Sequence, residues 1–392
     1  MSRSVIDPSS DAGPPPTAAS SALGVYEPAL DGMRGICIAA VVVYHACAVA
    51  HLAGWMRGGF MGVSVFFTLS GFLITSLLLR ELSGSGTIGL TSFWARRIRR
   101  LWPASLIVVL AVVVLGATDE LSVHSSDAVA ATWSVTNWHV ILGGQQRLLQ
   151  TIVGPLGPTW SLAVEEQFYL LLALLIVAVA RLTRPQVALS LVASVCIVVP
   201  IALSNLLTDW HPSLEFNTVF RMPELFVGVL LATWQRPILG YLRGAKRGDV
   251  AAGIGLVLLL VLFLFVDYSP PWLLRGGYTL VAAISAMTIV GLLQHGRVCA
   301  LISWAPLRSL GVVSYSLYLV HWPVISLLTP ARVGRAGVMY AAIVVVASLA
   351  AAVLLHRLVE RPVRRLRAEA VPTIVAGVAA AVALTALAMA TL

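Results

Sequence analysis

Charge is scarce in this chain. Only 11% of its 392 residues are charged, and lysine occurs once, at Lys246. Hydrophobic residues make up 59% of the sequence, and the mean hydropathy is +0.91. Such a composition is too apolar for a soluble protein of this length and predicts a polytopic helical membrane protein. The formal net charge of +9 does not indicate a nucleic-acid-binding protein, because the basic residues stand in short clusters between apolar runs.

Paired cysteines and a secretory signal are also lacking. The four cysteines form no Cys-x-x-Cys or Cys-x-x-x-Cys pair, so the sequence predicts neither a disulfide framework nor a metal site. Residues 1–24 are rich in Ser, Pro, Ala and Gly and contain no apolar core. They therefore predict a disordered cytoplasmic tail.

Long apolar runs are what the chain has in abundance. A bilayer-spanning helix needs about 20 apolar residues, and about eleven runs approach that length. The predicted fold is an all-α transmembrane bundle of about 10–11 helices. The approximate spans are 30–50, 60–79, 102–118, 161–180, 186–206, 219–235, 250–266, 276–293, 309–328, 337–356 and 371–391. The run 219–235 contains Arg221, Pro223 and Glu224, which favours a broken or re-entrant helix there.

The positions of the basic residues predict the orientation. If the N-terminus is cytoplasmic, most of the 26 arginine and lysine residues fall in cytoplasmic connections. Positive residues accumulate on the cytoplasmic side of membrane proteins. The pattern therefore predicts a cytoplasmic N-terminus and an exterior C-terminus.

The first apolar run carries an arginine and a histidine, Arg34 and His45. Eleven residues at about 100° each place them on one stripe of a helix, about 16 Å apart along its axis, with Asp31 within about 40° of that stripe. Ionisable groups at membrane depth are costly and usually functional. The alternative reading is a structural histidine that a neighbouring helix satisfies.

Further ionisable residues stand at the predicted outer ends of later helices. Arg221 and Glu224 can pair at i,i+3, and Tyr318 shares one helix face with His321. With the predicted topology, one polar cavity open to the exterior would collect these groups. The predicted members are His45, Glu165 or Glu166, Arg221, Glu224 and His321. The alternative is a set of internal ion pairs that lock the bundle.

A basic cluster precedes the third helix. It consists of Arg96, Arg97, Arg99 and Arg100. Four guanidinium groups over five residues can bind a phosphorylated cofactor through bidentate contacts. Topology signals and lipid headgroup anchors have the same composition, so both interpretations stay open.

Together these segments resemble the acyltransferase-3 family of bacterial membrane acyltransferases. The motifs that carry the resemblance are Asp31–Gly35 with His45, Gly62–Ile74, Arg96–Arg100, Trp160–Tyr169 and Ser314–Pro323. They occur in the family's order over most of the chain. Ser64 stands where many members have Asp, and the run 371–391 lies beyond the matched motifs.

The resemblance implies transfer of an acyl group, often acetyl, from cytoplasmic acyl-CoA to a hydroxyl group. The implied acceptors are a cell-envelope glycan, a lipid, or a glycosylated or macrolide-type metabolite. It implies that His45 is the catalytic histidine, that Arg34 is its partner, and that the Arg96–Arg100 cluster binds CoA. The expected acceptor-binding residues are Asp31, Trp160, Arg221, Glu224, Tyr318 and His321. The expected location is the bacterial cytoplasmic membrane, with residues 25–368 as the acyltransferase domain and residues 369–392 as an additional helix.

The chemistry of these side chains fits acyl transfer independently. Imidazole can act as the base for an acceptor hydroxyl or can carry the acyl group itself. Glu165 or Glu166 can orient the ring, and Arg34 can stabilise developing negative charge. No Gly-x-Ser-x-Gly motif is present, and we expect a membrane module that stands alone, without a metal.

Two other classes of protein are open at this stage. A proton-coupled transporter or flippase also uses intramembrane Arg, Glu and His, but the chain lacks a second copy of the Arg34–His45 pattern. A non-catalytic scaffold explains the apolar helices but not the concentration of ionisable groups.

Overall fold

The computed structural model describes residues 26–52, 54–143, 154–207, 212–268, 270–366 and 368–392. Within these ranges 84% of the structure is helical, turns and irregular connections make up the rest, and there is no strand. The predicted all-α polytopic fold is confirmed. The predicted cytoplasmic tail, residues 1–24, lies outside the described residues.

Eleven helices correspond to the eleven predicted spans. In chain order they are α1 Pro28–Val49, α2 Gly62–Ser85, α3 Leu90–Ala117, α4 Thr159–Val179, α5 Pro185–Leu206, α6 Thr218–Thr233, α7 Ala245–Phe265, α8 Tyr278–Leu292, α9 Ser314–Leu327, α10 Gly337–Leu355 and α11 Ala370–Thr391. A helix satisfies its backbone hydrogen bonds internally, and this is why apolar runs of this length adopt it in a bilayer.

Short elements connect the long helices. The helical ones are Ser125–Thr132, Thr136–Leu142, Gln235–Tyr241, Arg297–Ile302, Ala305–Val312, Pro330–Val333 and Arg361–Arg365. Tighter turns lie at Gly59–Met61, Gly154–Leu156 and Pro212–Phe216, and wider helical turns lie at Leu273–Gly277 and His356–Glu360.

Nine helices of the described chain are long and apolar enough to cross a membrane. The pair Ala305–Val312 and α9 adds a tenth span, bent by 68°. Helix α6 has only 16 residues, which corresponds to about 24 Å and falls short of the usual crossing length. The expectation of a broken or re-entrant helix around Arg221 is therefore corrected: α6 continues through Pro223 without a break and is short instead. The orientation of the N-terminus stays a prediction from the charge pattern.

Helix α2 lies at the centre of the bundle. It packs against α1, α4, α6 and α8, and most of its surface is buried inside the protein. Helices α5, α7 and α11 lie at the periphery and expose most of their apolar surface. Helix α11, which the sequence sets apart as an addition, packs along α3 and the short helix Ser125–Thr132.

Helices α2 and α6 cross in close contact at the centre of the bundle. A Cβ atom at Gly71 would lie 2.0 Å from the carbonyl oxygen of Leu225, and one at Gly228 would lie 2.3 Å from that of Thr68. Only glycine permits the two backbones to approach this closely. The crossing brings Arg221 of α6 next to Ser64 of α2.

We expect Gly71→Ala to destabilise the protein, because the added methyl group meets backbone that cannot rotate away. Overpacking of this kind typically costs about 1–3 kcal/mol. The matched control is Gly253→Ala on α7, where a Cβ atom meets nothing within 4 Å. Thermal unfolding of both variants in detergent measures the difference, and equal melting temperatures would contradict this account of the crossing.

Candidate active site

One cavity in the bundle is rich in arginine, and we call it the arginine pocket. Its charged wall residues are Arg34, Arg97, Arg100 and Glu165, so cations outnumber carboxylates by three to one. They come from α1, α3 and α4. Arg97 and Arg100 are at i,i+3 on one face of α3, which points both side chains into the same space.

Hydrogen bonds and ring contacts fix the wall of the arginine pocket. Ser70 donates a hydrogen bond to Glu165 Oε1 at 2.5 Å, and Tyr169 donates one to Oε2 at 3.2 Å. The Arg97 guanidinium stacks 4.1 Å from the centre of the Tyr169 ring. Arg34 Nε is buried and has no hydrogen-bond partner among the described residues. The pocket therefore offers unused donors to an anionic group.

A second cavity contains His45, and we call it the histidine pocket. Its other polar wall residues include Glu215, Arg221, Tyr268 and Tyr278. Aromatic rings supply much of the remaining wall, from Phe60, Trp160, Phe216, Tyr318 and Trp322.

Arg221 is held in the wall of the histidine pocket by a buried ion pair. Its Nε lies 2.8 Å from Glu224 Oε2, and its Nη2 lies 3.0 Å from Glu224 Oε1. Nη2 also lies 3.4 Å from Ser64 Oγ. The guanidinium stacks 3.7 Å from the centre of the Tyr278 ring. The predicted i,i+3 pair is present, with Glu224 behind Arg221 and away from the cavity wall.

His45 is paired with a second buried histidine. His45 Nδ1 lies 3.2 Å from Nε2 of His321, whose side chain is fully buried behind it. His321 Nδ1 lies 2.7 Å from the carbonyl oxygen of Tyr318 and 3.2 Å from that of Leu317. Carbonyl oxygens only accept, so Nδ1 of His321 carries the hydrogen.

This pairing defines the tautomer of His45. In neutral His321, Nε2 is then an acceptor, and His45 Nδ1 must donate to it. The lone pair of His45 is left on Nε2, the ring nitrogen that His321 does not occupy. His321 thus stands behind His45 as an orienting group, a place that the sequence assigned to Glu165 or Glu166.

Tyr318 separates the two cavities and lines both of them. Its hydroxyl lies 2.6 Å from Ser161 Oγ and donates to the carbonyl oxygen of Pro158 at 3.0 Å. Ser161 lines the arginine pocket, and Pro158 lines the histidine pocket. The two cavities therefore meet at Tyr318, beside Val63, which also lines both.

The structure differs from the prediction of a single polar cavity. Trp160 lines the histidine pocket, whereas Glu165 lines the arginine pocket. Five residues on a helix separate two side chains by about 140° around the axis, so α4 directs them into different cavities. Glu166 lines neither of the two cavities and accepts a hydrogen bond from Trp102 Nε1 at 3.4 Å.

The basic cluster is also divided. The mean direction of Arg96 and Arg99 lies about 100° around α3 from that of Arg97 and Arg100, and neither Arg96 nor Arg99 lines the arginine pocket. Arg96 pairs with Glu81 at 3.1 Å, and Arg99 donates to the carbonyl oxygens of Leu366 and Ala368. Asp31 lies outside both cavities as well, 3.9 Å from Arg34 and hydrogen-bonded to Tyr26.

Sequence reasoning missed several wall residues. Glu215 and Tyr268 lie in connections without helical periodicity, and Tyr278 opens α8 beyond a wide turn. No sequence pattern connects these three residues to Arg221. In the arginine pocket, by contrast, the polar wall residues Ser70, Ser161, Tyr169, Ser314 and Tyr315 lie within motifs that had been singled out. In the described part of the chain, no three His, Cys, Asp or Glu side chains group as a metal site requires.

The fold and these cavities define a polytopic membrane protein whose helical core contains the arginine pocket and the histidine pocket. The family profile described as "Acyltransferase domain" matches residues 27–357, and the chain belongs to this family. The resemblance to the acyltransferase-3 family is thereby confirmed. Membership favours an acyltransferase over the transporter alternative.

The curated relatives include two O-acetyltransferases that carry the name OatA. The chain is 32% identical over 355 residues to O-acetyltransferase OatA of Staphylococcus aureus (strain NCTC 8325 / PS 47), covering 87% of this chain and 57% of that protein. It is 32% identical over 353 residues to peptidoglycan O-acetyltransferase OatA of Listeria monocytogenes, covering 87% and 56%. The chain thus spans little more than half the length of these relatives. No solved structure matches it.

Proposed function

We propose that this chain is a membrane O-acetyltransferase that moves an acetyl group from acetyl-CoA to a hydroxyl of a cell-envelope glycan. The observation that carries the proposal is the meeting of the histidine pocket and the arginine pocket at Tyr318. The names of the relatives support acetyl as the acyl group, and that of the Listeria protein supports peptidoglycan as the glycan.

The arginine pocket is the proposed site for the acyl-CoA donor. CoA carries several phosphate groups, and guanidinium groups bind phosphate through bidentate, charge-assisted hydrogen bonds. Arg34, Arg97 and Arg100 face this space together, and Arg34 Nε has an unused donor. The donor's thioester would then lie toward Tyr318 and the histidine pocket.

His45 Nε2 is the proposed reacting nitrogen. As a base, it takes the proton of the acceptor hydroxyl while the hydroxyl oxygen attacks the thioester carbonyl carbon; the carbon–sulfur bond breaks, and the thiolate takes the proton. As a nucleophile, Nε2 attacks that carbon first, CoA leaves, and the acceptor oxygen then displaces the imidazole. Both routes need the lone pair on Nε2 that the contact with His321 provides.

His45→Ala is expected to remove transfer activity and leave the fold intact, because the reaction loses its base or nucleophile. A general base typically contributes about 10²–10⁴-fold. Release of CoA from acetyl-CoA by the purified protein, with peptidoglycan fragments as acceptor, measures this. The control is His51→Asn, an exposed histidine just beyond α1. Wild-type turnover by stably folded His45→Ala protein would end the proposal.

His321 is a positioning residue in this scheme, and its variants should differ in kcat. His321→Leu removes the acceptor for His45 Nδ1–H, whereas His321→Gln can replace it with a carbonyl oxygen. We expect the Leu variant to lose kcat by about tenfold or more and the Gln variant to recover part of it, with both KM values unchanged. If the two variants lose the same activity at equal melting temperature, the hydrogen bond has no part in the reaction.

Arg97 and Arg100 should control the KM for acetyl-CoA. The double variant Arg97→Gln with Arg100→Gln loses charge-assisted hydrogen bonds that are each worth about 1.5–3 kcal/mol, so a rise of at least about tenfold is expected. The matched control is Arg96→Gln with Arg99→Gln, which removes the same charge from the part of the cluster outside the arginine pocket. Equal effects of the two double variants would mean that the cluster acts only through its general charge.

A further inference from the structure

Two oxygen atoms in the wall of the histidine pocket are buried and unused. Glu215 Oε2 and the hydroxyl of Tyr268 have no hydrogen-bond partner among the described residues. Glu215 exposes only 6% of its surface. A buried polar atom without a partner costs about 1–3 kcal/mol. Two such atoms in one cavity with His45 point to a ligand that completes their hydrogen bonds.

Glu215 is fixed so that one of its two oxygens stays free. The Tyr278 hydroxyl donates a hydrogen bond to Oε1, and Arg221 Nη1 lies 3.7 Å from the same atom. Burial raises the pKa of Glu215 to about 7, and the positive charge of Arg221 opposes this rise. Oε1 of Glu215 is therefore already hydrogen-bonded, whereas Oε2 is available to accept a hydrogen bond.

The other walls of the histidine pocket are aromatic. Phe60 packs edge-to-face on Tyr268 with ring centres 5.3 Å apart, and Phe216 packs in the same way on Trp160 at 5.2 Å. Trp322 packs against His45 at 5.1 Å. Flat rings beside isolated polar atoms suit a ligand with apolar C–H faces and hydroxyl groups at its edge, as a sugar ring has.

The charge of the pocket discriminates among sugars. Arg221 is occupied by Glu224 in a bidentate pair, so its charge is balanced before any ligand enters. Glu215 is a second carboxyl group beside the same arginine, with Oε1 3.7 Å from Arg221 Nη1, so two carboxyl groups here face one guanidinium. An acidic sugar would place its carboxylate beside that group, which like charges oppose. The chemistry therefore favours a neutral sugar ring.

We propose that the histidine pocket is a subsite for a neutral hexopyranoside, in which Glu215 Oε2 accepts a hydrogen bond from one ring hydroxyl and the Tyr268 hydroxyl bonds a second. This inference rests on the proposed function, because it assigns the acceptor's place in that reaction. Glu215 and Tyr268 bind the acceptor and take no part in moving the acetyl group. The hydroxyl that reacts is the one that the two contacts direct toward His45.

The test measures binding to the full chain in detergent by calorimetry. The probes are the neutral oligosaccharides chitotetraose and cellotetraose and the acidic tetragalacturonate. We expect at least one neutral probe to bind more tightly than the acidic one. Glu215→Gln puts an amide donor where an acceptor is needed, and Tyr268→Phe removes a hydroxyl, so each should weaken that binding by about three- to tenfold. The matched control is Glu120→Gln, which replaces an exposed carboxylate that pairs with Arg332.

A ligand-free measurement guards against loss of folding. If the Tyr268 hydroxyl is unused in the free protein, Tyr268→Phe keeps or raises the melting temperature, whereas a clear fall means that the protein itself uses the hydroxyl and overturns its assignment. Tighter binding of tetragalacturonate, no binding of either neutral probe, or unchanged affinity in both variants would each overturn the proposal.

Kinetics separate this inference from the proposed function. In the acetyl-CoA assay, both variants should raise the KM for the acceptor and leave the KM for acetyl-CoA close to that of the wild type. If the wild type transfers acetyl and the acceptor KM does not change in either variant, the subsite is wrong and the acetyltransferase proposal stands. If no acetyl transfer occurs while the neutral probe binds through Glu215, the proposed reaction fails and the sugar site remains.

Discussion

The bidentate ion pair between Arg221 and Glu224 is the interaction on which the centre of this structure depends. Arg221 exposes 2% of its surface and Glu224 none. A single charge removed from water costs several kcal/mol, so neither side chain can stay buried without the other. Both stand on α6, and the glycine contacts of α6 with α2 hold that helix in the bundle.

The orientation of Arg221 propagates into the histidine pocket. Its guanidinium plane lies on the Tyr278 ring, and the Tyr278 hydroxyl donates to Glu215. One sequence of contacts thus runs from α6 through α8 to the turn Pro212–Phe216, and it decides which oxygen of Glu215 is free. Ser64 brings no charge to this network. Glu224 and Glu215 supply the negative charge that Arg221 needs.

The sequence was informative wherever one helix decides the geometry. Apolar length predicted the eleven helices, and the i,i+3 spacing predicted the pairing of Arg221 with Glu224. The same spacing logic could have divided the Arg96–Arg100 cluster into two faces. Contacts between helices could not be predicted in this way. The approach of His321 to His45 depends on how α9 packs against α1, and the sequence of neither helix alone determines that packing.

Connections without periodicity were the hardest part to predict. Glu215 and Tyr268 owe their place to neighbouring helices, and no local pattern marks them as buried. The prediction of one cavity was wrong, because His45 and Arg221 line the histidine pocket whereas Glu165 lines the arginine pocket. A helical wheel of α4 places Glu165 about 140° from Trp160, the α4 residue that lines the histidine pocket.

The two cavities differ in charge in a way that matches the two substrates of the proposed reaction. The arginine pocket has an excess of cations, which attracts a donor with several phosphates. The histidine pocket has its one arginine neutralised by Glu224, so it offers an anion no net attraction. Because the histidine pocket does not attract anions, we expect only the uncharged acetyl thioester of the donor to extend past Tyr318. We expect an uncharged part of the acceptor to bind there beside it. In this scheme charge keeps the two substrates in separate cavities, and the reacting atoms meet at His45.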